Sequence, residues 1–538
     1  MNALPKRNPI TVARLLEDQA TAHADKVFIH FPEKNQAFTY ADLEAKTRQT
    51  ANLLASLGVG KGDKVALLVP NIPEFLFVYW GAMRIGAVAC PVNTLLKGPE
   101  IQYVVDHCEA KVLVLTPEFF GPVADIADQL PRVAHYAVLD DTPPTTGTLN
   151  VPSQLNLLAE LSHHDTALPT VTLAPDDEAM MIYTSGTTGK PKGVLLTHHN
   201  LITDAHYISQ WFGFTGQTVM MCILPLFHVN GEVVTMMTPL LIGASVVLQR
   251  KFSASTFWAT IARYRVNMFS TVPTILSILL AQHDKDGAPD DDISSLALVI
   301  CGAAPLPVEV HKQFEDTFKV PLYEGYGLSE TTCYSTFNPP DPTKRVIGSI
   351  GMAVGNDVAI WDEHHQEVPP GQGGEIVIRG ENVMKGYFKN PEATEKAFAG
   401  GWFHSGDWGM QDENGFFYIV DRVKDMIIRG GENIYPREID EVLYGHEGIE
   451  AAATIGIPDE KYGEAVKSFV VLKPGTSLSE AEVIAYCKAR LADFKCPESV
   501  AFIDEIPKGP TGKLLRRALR DMSHPCDSIQ HPSVQPAP

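Results

Sequence analysis

The segment of the sequence with the clearest chemical character is 183–193, which reads YTSGTTGKPKG. It contains four serine or threonine hydroxyls and three glycines, with Lys190 and Lys192 near its end. Glycines allow backbone N–H groups to approach a polyphosphate closely, while hydroxyls and ammonium groups add donors and positive charge. The segment does not match the Walker pattern GxxxxGK[ST], because Pro191 follows Lys190. It is therefore predicted to bind phosphate, but not in the manner of a P-loop ATPase.

Three charged side chains in later segments could complete a reaction at phosphorus. Glu330 offers the hard oxygen ligand that Mg²⁺ prefers, and Asp407 could accept hydrogen bonds from the two hydroxyls of a ribose. Lys513 ends the segment KGPTGK, where a cation could stabilise the charge that builds up between a carboxylate and an α-phosphate. A carboxylate is already ionised at pH 7, so this attack needs no general base. Taken singly, each of these residues is more often a solvated surface group.

Five further segments accompany the phosphate-binding segment: PLFHVNG at 225–231, GYGLSETT at 325–332, HSGDWG at 404–409, DRVKDMIIRGGEN at 421–433 and PKGPTGK at 507–513. In this order they resemble the motifs of the adenylate-forming superfamily of AMP-binding enzymes, which includes acyl-CoA synthetases, adenylation domains of peptide synthetases and luciferase. The resemblance covers about residues 10–522. It implies an ATP-dependent carboxylic acid–CoA ligase, which forms an acyl-adenylate and pyrophosphate and then transfers the acyl group to coenzyme A. ATP, Mg²⁺ and coenzyme A are the implied cofactors.

The resemblance also assigns roles to individual residues. The implied catalytic residues are Lys513, Glu330 and His228, and the implied Mg²⁺ ligands are Glu330 and Thr184. The implied ATP-binding residues are Thr184, Ser185, Gly186, Thr187, Thr188, Gly189, Lys190, Gly302, Ala303, Tyr326, Gly327, Thr331, Asp407 and Arg422. Lys424 resembles a hinge about which a small domain rotates, and Gly430 and Gly431 resemble the loop that meets the pantetheine arm of coenzyme A.

The acyl pocket implied by the resemblance contains His228, Asn230, Gly302 and Ala303. The apolar segment that follows His228, with Met236 and Met237, would suit an aliphatic chain, so a medium- or long-chain fatty acid is the expected substrate. Asn230 and Glu232 leave an aryl acid or a small polar or dicarboxylic acid open. A standalone enzyme that loads a carrier protein is a further alternative. A non-catalytic nucleotide-binding protein is disfavoured because Lys513, Glu330 and Asp407 are all present.

The elements that must position these residues follow an α/β pattern. Short apolar runs alternate with helical patterns, which predicts parallel sheets flanked by helices, with ligands in the loops after Tyr183 and Cys301. From about Gly348 onward, shorter strands with tight turns predict a small barrel-like subdomain. The predicted domains are 1–421 for ATP and acyl binding, 422–522 as a small mobile α+β lid, and 523–538 as a disordered tail.

Composition restricts the class of protein. The 538 residues carry a formal net charge of −21, which repels the phosphate backbone and excludes a general nucleic-acid-binding role. The eight cysteines show no CxxC spacing, so we expect buried thiols in a reducing compartment. No signal peptide and no apolar run long enough for a membrane span are found, which predicts a cytoplasmic protein. Peripheral membrane contact and the oligomeric state stay open.

Overall fold

The computed structural model describes residues 4, 6–140, 149, 151, 153–167, 171–184, 190–287, 289, 291–422, 425–429, 432–459, 462–508 and 514–523. The chain forms two compact units. The first comprises Met1–Ser405 with Gly409–Ile419, and the second comprises Gly406–Trp408 with Val420–Pro538. The predicted domain boundary after residue 421 and the predicted mobility of the small domain stay predictions. The predicted disordered tail lies almost entirely outside the described residues.

Helices of the first unit cover its sheets. In the described ranges they are α1 (Val12–His23), α2 (Tyr40–Ser56), α3 (Pro73–Arg84), α4 (Gly98–His107), α5 (Phe120–Ala124), α6 (Leu157–Leu161), α7 (His198–Phe212), α8 (Thr238–Ile242), α9 (Ala254–Tyr264), α10 (Pro273–Asp286), α11 (Val308–Phe318) and α12 (Pro391–Ala397). A π-helix, Asn230–Met237, leads directly into α8. Side-chain caps start several of these helices. At α7, for example, Thr197 accepts a hydrogen bond from the Asn200 amide, and the Asn200 side chain accepts one in return.

The strands of this region are β1 (Val27–Phe31), β2 (Gln36–Thr39), β3 (Lys64–Leu68), β4 (Val88–Pro91), β5 (Ala110–Leu115), β6 (His135–Val138), β7 (Gln154–Asn156), β8 (Glu178–Thr184), β9 (Lys192–Thr197), β10 (Val219–Cys222), β11 (Ser245–Leu248), β12 (Met268–Thr271), β13 (Leu298–Cys301), β14 (Leu322–Tyr326), β15 (Thr336–Phe337), β16 (Met352–Ala353), β17 (Asp357–Trp361), β18 (Gly373–Arg379), β19 (Gly386–Tyr387), β20 (Phe403–Gln411) and β21 (Phe417–Arg422). Among the described residues they form three sheets. The strand orders are β2-β1-β11-β10-β12-β13-β14-β15-β16, β7-β6-β5-β3-β4-β8-β9-β19 and β17-β18-β20-β21.

The two large sheets have parallel centres. Strands β10 to β14 pair in parallel with one another, as do β3, β4, β5 and β6 with their neighbours. Successive residues of one strand enter different apolar cores: Met268 packs in one cluster and Phe269 in another. Burial on both faces explains why such strands are almost continuously apolar. The predicted architecture of helix-flanked parallel sheets is confirmed.

The phosphate-binding segment differs from the prediction in one respect. A strand followed by a loop and a helix was expected, but β8 is followed by β9, which pairs with it antiparallel. Thr184 at the end of β8 lies opposite Lys192 at the start of β9, and α7 begins only after β9. The run Val194–Leu196 is buried, so the sheet gains a further apolar strand before the helix starts. Strands β8 and β9 are therefore the two arms of a hairpin, and residues 185–189 between them lie outside the described part.

The second unit is a small α+β fold. Its described elements are β22 (Ile427–Arg429), β23 (Glu432–Ile434), α13 (Pro436–Tyr444), β24 (Ile449–Asp459), β25 (Gly463–Leu472), α14 (Glu480–Lys488), β26 (Ser499–Phe502) and α15 (Arg516–Ser523). The sheet order is β23-β22-β25-β24, with β26 beside β25. Arg516 fastens α15 to this fold, because its guanidinium donates to Asp440 at 2.8 Å and to the Thr454 carbonyl at 3.1 Å.

Two further expectations concern thiols and membranes. The seven cysteines in the described part of the chain are all buried and form no disulfide with one another. None of the helices in the described ranges is both long enough and apolar enough to cross a bilayer.

A partly buried ion pair fixes α11 against β14, the strand that ends at Tyr326. The Glu315 carboxylate accepts the Leu322 amide at 2.6 Å and contacts both Arg345 and His311 Nε2, the latter at 3.5 Å. Arg345 also donates to the Leu322 carbonyl at 2.5 Å. Burial raises the pKa of Glu315, but the hydrogen bonds from His311, Arg345 and the Leu322 amide outweigh burial and lower the pKa to about 2.

We expect Glu315→Gln to destabilise the protein by about 1–3 kcal/mol at neutral pH, since a buried charge-assisted contact is lost. The folded pKa of Glu315 lies below the ordinary value, so the ion pair stabilises the protein above that value and its contribution fades as pH falls toward 2. Melting temperatures of Glu315→Gln and of the exposed control Glu309→Gln should therefore differ most at neutral pH. A difference that stays constant down to about pH 3 would contradict the role given to this pair, because the loss should occur between the ordinary pKa and the folded pKa of about 2.

Candidate active site

The GYGLSETT segment forms a tight turn at the carboxyl end of β14. A Cβ atom at Gly327 would lie 1.7 Å from the Cys333 carbonyl oxygen, so only glycine allows the chain to return so closely. The Ser335 amide donates to the Tyr326 carbonyl at 2.8 Å, which closes the turn at its base. Inside it, the Thr331 hydroxyl accepts the Leu328 amide at 3.1 Å. These contacts hold the backbone of the turn that carries Glu330 and Thr331.

Glu330 is held by a segment distant in sequence. Its Oε1 accepts a hydrogen bond from the Tyr387 hydroxyl at 2.9 Å, and its carbonyl accepts the Met384 amide at 2.7 Å. Burial, followed by the nearby Glu330 charge, raises the pKa of Tyr387, so the phenol stays a donor at neutral pH. Lys192 Nζ lies 4.4 Å from the centre of the Tyr387 ring. Tyr387 therefore links the Glu330 carboxylate to the phosphate-binding hairpin.

The hairpin itself is supported by two side chains of α4. The Tyr103 hydroxyl donates to the Pro191 carbonyl at 2.9 Å, and His107 Nδ1 lies 2.7 Å from the Tyr183 hydroxyl. Lys190 Nζ lies 5.2 Å from the centre of the Tyr103 ring. Tyr183 and Pro191, near the two ends of the predicted phosphate-binding segment, are thus each bonded to a side chain of α4.

These contacts fit a magnesium–triphosphate complex. Thr184 lies opposite Lys192 in the hairpin, and Lys192 packs on the tyrosine that holds Glu330, so Thr184 and Glu330 belong to the same end of the first unit. In the described ranges there is no group of three or more His, Cys, Asp or Glu residues suited to a metal ion. Mg²⁺ commonly takes only one or two protein oxygens and completes its shell with phosphate and water. A half-buried carboxylate that accepts the Tyr387 hydroxyl, with Lys192 packed on the same tyrosine ring, suits that requirement.

The turn after β13 packs against Tyr334. A Cβ atom at Gly302 would lie 2.3 Å from the Tyr334 hydroxyl, so a larger residue is excluded. Ala303 adopts a φ of +67°, a left-handed conformation that costs a non-glycine residue about 1–2 kcal/mol and is concentrated at functional sites. The two turns predicted to bind nucleotide and acid, after Cys301 and after Tyr326, therefore meet.

Asn230 and Tyr334 form a polar pair beside Gly302. Asn230 Nδ2 donates to the Tyr334 hydroxyl at 3.0 Å, and both side chains are buried. Within the described residues, Asn230 Oδ1 has no hydrogen-bond partner. A buried amide oxygen without a partner is costly unless a ligand or water satisfies it. Asn230, Tyr334 and Gly302 thus form a small polar surface.

His228 lies two residues before Asn230. Burial lowers its pKa to about 4, so the imidazole is neutral at neutral pH. Its Nε2 is buried and has no hydrogen-bond partner in the part of the chain that the structure describes. Gly231 packs the following backbone against the Pro225 carbonyl, where a Cβ atom would approach to 2.6 Å. A neutral, enclosed imidazole suits a role at the wall of a pocket.

The remaining predicted residues are in the second unit or outside the described residues. Asp407 lies in β20 and is 5% exposed. Arg422 ends β21, but its side chain is not described. The predicted residues outside the described part are Ser185, Gly186, Thr187, Thr188, Gly189, Lys424, Gly430, Gly431 and Lys513. Their roles stay predictions.

Several residues of this site escaped the sequence analysis. One of them, Tyr334, lies in the continuation of the GYGLSETT turn and binds Asn230. The turn or its continuation is contacted by three others, Tyr387, Asp204 and Asn382. Asp204 carries one usable signal, because a carboxylate on the buried face of an apolar helix normally has a specific purpose. The other three show no diagnostic spacing, since their partners are distant in the sequence.

Comparison with known proteins agrees with this geometry. The model for the AMP-binding enzyme family matches residues 16–388, and the model for its C-terminal domain matches residues 438–513. The chain is 36% identical to the sulfoacetate–CoA ligase of Cupriavidus necator, over 95% of this chain and 97% of that protein. It is 34% identical to the oxalate–CoA ligase of Arabidopsis thaliana, over 94% and 97% of the two chains.

A solved structure extends the comparison to the fold. ATP-bound MatB from Rhodopseudomonas palustris superposes with a TM-score of 0.86 at 31% identity, covering 95% of this chain and 99% of that one. The predicted use of ATP, Mg²⁺ and coenzyme A is in keeping with such relatives. The chain belongs to the AMP-binding enzymes of the adenylate-forming superfamily, and it is an AMP-forming acid–CoA ligase.

Proposed function

We propose that the acid activated by this ligase is small and polar. The observation that carries the proposal is the Asn230–Tyr334 hydrogen bond at Gly302, with Asn230 Oδ1 left without a partner among the described residues. An acid that carries a hydroxyl or another hydrogen-bond donor could satisfy that oxygen, whereas an alkyl chain would bury it unpaired. The related sulfoacetate–CoA and oxalate–CoA ligases are named for small acids that carry a second acidic group.

The fatty acid expected from the sequence has less support. Met236 and Met237 are 0% and 2% exposed and belong to the large apolar core of the first unit. Their burial among core residues supports a packing role for this helix. A medium- or long-chain acid, and an aryl acid, therefore become the alternatives that a substrate screen has to test.

In the first half-reaction, an oxygen of the acid attacks the α-phosphorus of ATP, and the bond from that phosphorus to the bridging oxygen of pyrophosphate breaks. Glu330 and Thr184 would hold Mg²⁺, which when bound neutralises phosphate charge. The hairpin tip would hold the β- and γ-phosphates, while Thr331 would bond the α-phosphate. Tyr326 would stack on adenine, with Gly302, Ala303 and Gly327 beside it.

A positive charge is still required where the two anions meet. His228 cannot supply it at neutral pH, because burial keeps its pKa at about 4. Lys513 remains the proposed catalytic cation. It lies between Lys508 and Leu514, which pair by an isolated β-bridge, and α15 begins three residues later. The segment that carries Lys513 is thus anchored on both sides, by the described residues Lys508 and Leu514.

The second half-reaction transfers the acyl group from AMP to the sulfur of coenzyme A. We place Gly430 and Gly431 at the pantetheine arm, because they lie between β22 and β23. Lys424 would act as the hinge, since it lies between the end of β21 and the start of β22. Asp407 and Arg422 would hold the ribose in this scheme.

A screen of acids tests the proposed substrate class. With coenzyme A present, pyrophosphate release should show a kcat/KM at least about tenfold higher for a small hydroxy acid than for octanoate, palmitate or benzoate. Tyr334→Phe should narrow this preference, because it removes the hydroxyl that orients Asn230. Tyr323→Phe is the matched control, since that hydroxyl donates to the Pro340 carbonyl. A preference for octanoate or palmitate in the unmodified enzyme would refute the proposal.

Replacement of Lys513 separates the two half-reactions. We expect Lys513→Ala to slow acid-dependent exchange of pyrophosphate into ATP by at least about 100-fold, because the anions then meet without a compensating charge. Thiolysis of supplied acyl-adenylate by coenzyme A should stay near normal. Lys508→Ala, in the same segment, serves as the control. Equal loss of both half-reactions would exclude the assigned role.

The hinge proposal has a similar test. Lys424→Pro fixes φ near about −65° and should slow one half-reaction at least about tenfold more than the other. Lys424→Ala removes the charge but keeps the backbone free, so it should leave both rates within about threefold of normal. If the proline variant slows both steps equally, rotation about residue 424 is not part of the cycle.

A further inference from the structure

The turn that carries Glu330 continues into residues 331–334, and a buried carboxyl group lies behind it. Asp204, on α7, is fully buried. Its Oδ2 accepts the Tyr334 amide at 3.2 Å, and its Oδ1 accepts a hydrogen bond from Asn382 Nδ2, also at 3.2 Å. Asp204 therefore contacts the turn both directly and through a second side chain.

Asn382 binds the same turn at two of its carbonyl groups. Its Nδ2 lies 3.1 Å from the carbonyl oxygens of both Thr331 and Tyr334. Its own carbonyl accepts the Thr332 hydroxyl at 2.6 Å. Asn382 is 0% exposed, so solvent does not compete for these hydrogen bonds. The pair binds the backbone at the first and last residues of the segment 331–334.

The turn needs such support because its backbone is strained. Thr332 has a φ of +67° and a ψ of −56°, a conformation that a β-branched residue rarely adopts. Strain of this kind costs about 1–3 kcal/mol and persists only where the surroundings hold it in place. Asp204 and Asn382 provide hydrogen bonds on both sides of the strained residue.

The chemistry of Asp204 suits a purely geometric role. Burial raises its pKa to about 8, although the hydrogen bonds from the Tyr334 amide and Asn382 oppose this rise. The described ion pairs include none between Asp204 and a lysine or arginine. A carboxyl group that is largely protonated at neutral pH resembles an asparagine amide in charge and shape.

We propose that Asp204 and Asn382 are positioning residues that keep the turn 331–334 in one geometry, so that its nucleotide end and its acid end stay aligned. Thr331 is at the first end and Tyr334, bonded to Asn230, is at the second. The inference rests on the proposed roles of Glu330, Thr331 and Tyr334. Loss of either positioning residue should weaken the binding of both substrates together.

Isosteric variants give opposite expectations. Asp204→Asn keeps the volume and an acceptor for the Tyr334 amide but loses the acceptor for Asn382 Nδ2. The two N–H groups of Asn382 can still donate to the Thr331 and Tyr334 carbonyls, so the KM values for MgATP and for the acid should stay within about threefold of normal. Asn382→Asp keeps the volume but replaces the donor by an acceptor facing two carbonyl oxygens, so both KM values should rise at least about tenfold. Asp204→Ala should resemble Asn382→Asp. Pyrophosphate exchange, with melting temperature measured in parallel, gives these values.

Thr203→Val is the matched control, because Thr203 is a buried neighbour on α7 whose hydroxyl contacts His199. It should leave both KM values unchanged. If Asp204→Ala does not fold, the contrast between Asp204→Asn and Asn382→Asp still decides the matter. Folded Asn382→Asp enzyme with normal KM values would overturn the proposal. So would an Asp204→Asn enzyme as impaired as Asn382→Asp.

The variant Glu330→Gln separates a failure of the positioning role from a failure of the proposed metal-binding role of Glu330. If Glu330→Gln keeps normal exchange, the proposed metal-binding role fails, whatever the positioning variants do. If Glu330→Gln loses exchange by at least about 100-fold while Asn382→Asp behaves normally, only the positioning role fails.

Discussion

The close return of the chain after β14 is the constraint on which the site depends. Gly327 passes so near the Cys333 carbonyl that any side chain would clash. This return places Glu330, Thr331 and Tyr334 within five residues of one another on a single turn. In the proposed function, nucleotide chemistry and acid recognition are therefore built on one short piece of backbone. Because reaction between two anions depends on fixed geometry, a small shift of this turn would affect both substrates.

Long-range contacts provide the rigidity that the turn lacks by itself. Tyr387 holds the Glu330 carboxylate, while Asp204 and Asn382 hold the backbone beyond it. Asp204 comes from α7, Asn382 from the segment between β18 and β19, and Tyr387 from β19, so three separate parts of the chain must be correctly folded before the turn is complete. The strained Thr332 shows that local preference alone would not produce this conformation.

Features that depend on residues close together in the sequence could be predicted from it. The alternation of helices and parallel strands follows from the apolar pattern of the sequence, whereas the family and the segments that carry the candidate site follow from the resemblance of six short segments to known motifs. Tyr387 and Asn382 could not be found this way, because they are 57 and 51 residues from the positions Glu330 and Thr331 that they contact. The aliphatic preference rested on Met236 and Met237, and an apolar pattern does not distinguish a pocket wall from a packed core.

The π-helix Asn230–Met237 has a consequence for how the pocket could change during evolution. A π-helical turn accommodates one residue more than an α-helical turn, and it runs here without a break into α8. Removal of one residue would restore ordinary winding and rotate the start of the helix by about 100° relative to its end. Asn230 would then turn away from Tyr334. A single-codon deletion could thus change the acid preference of a descendant of this protein.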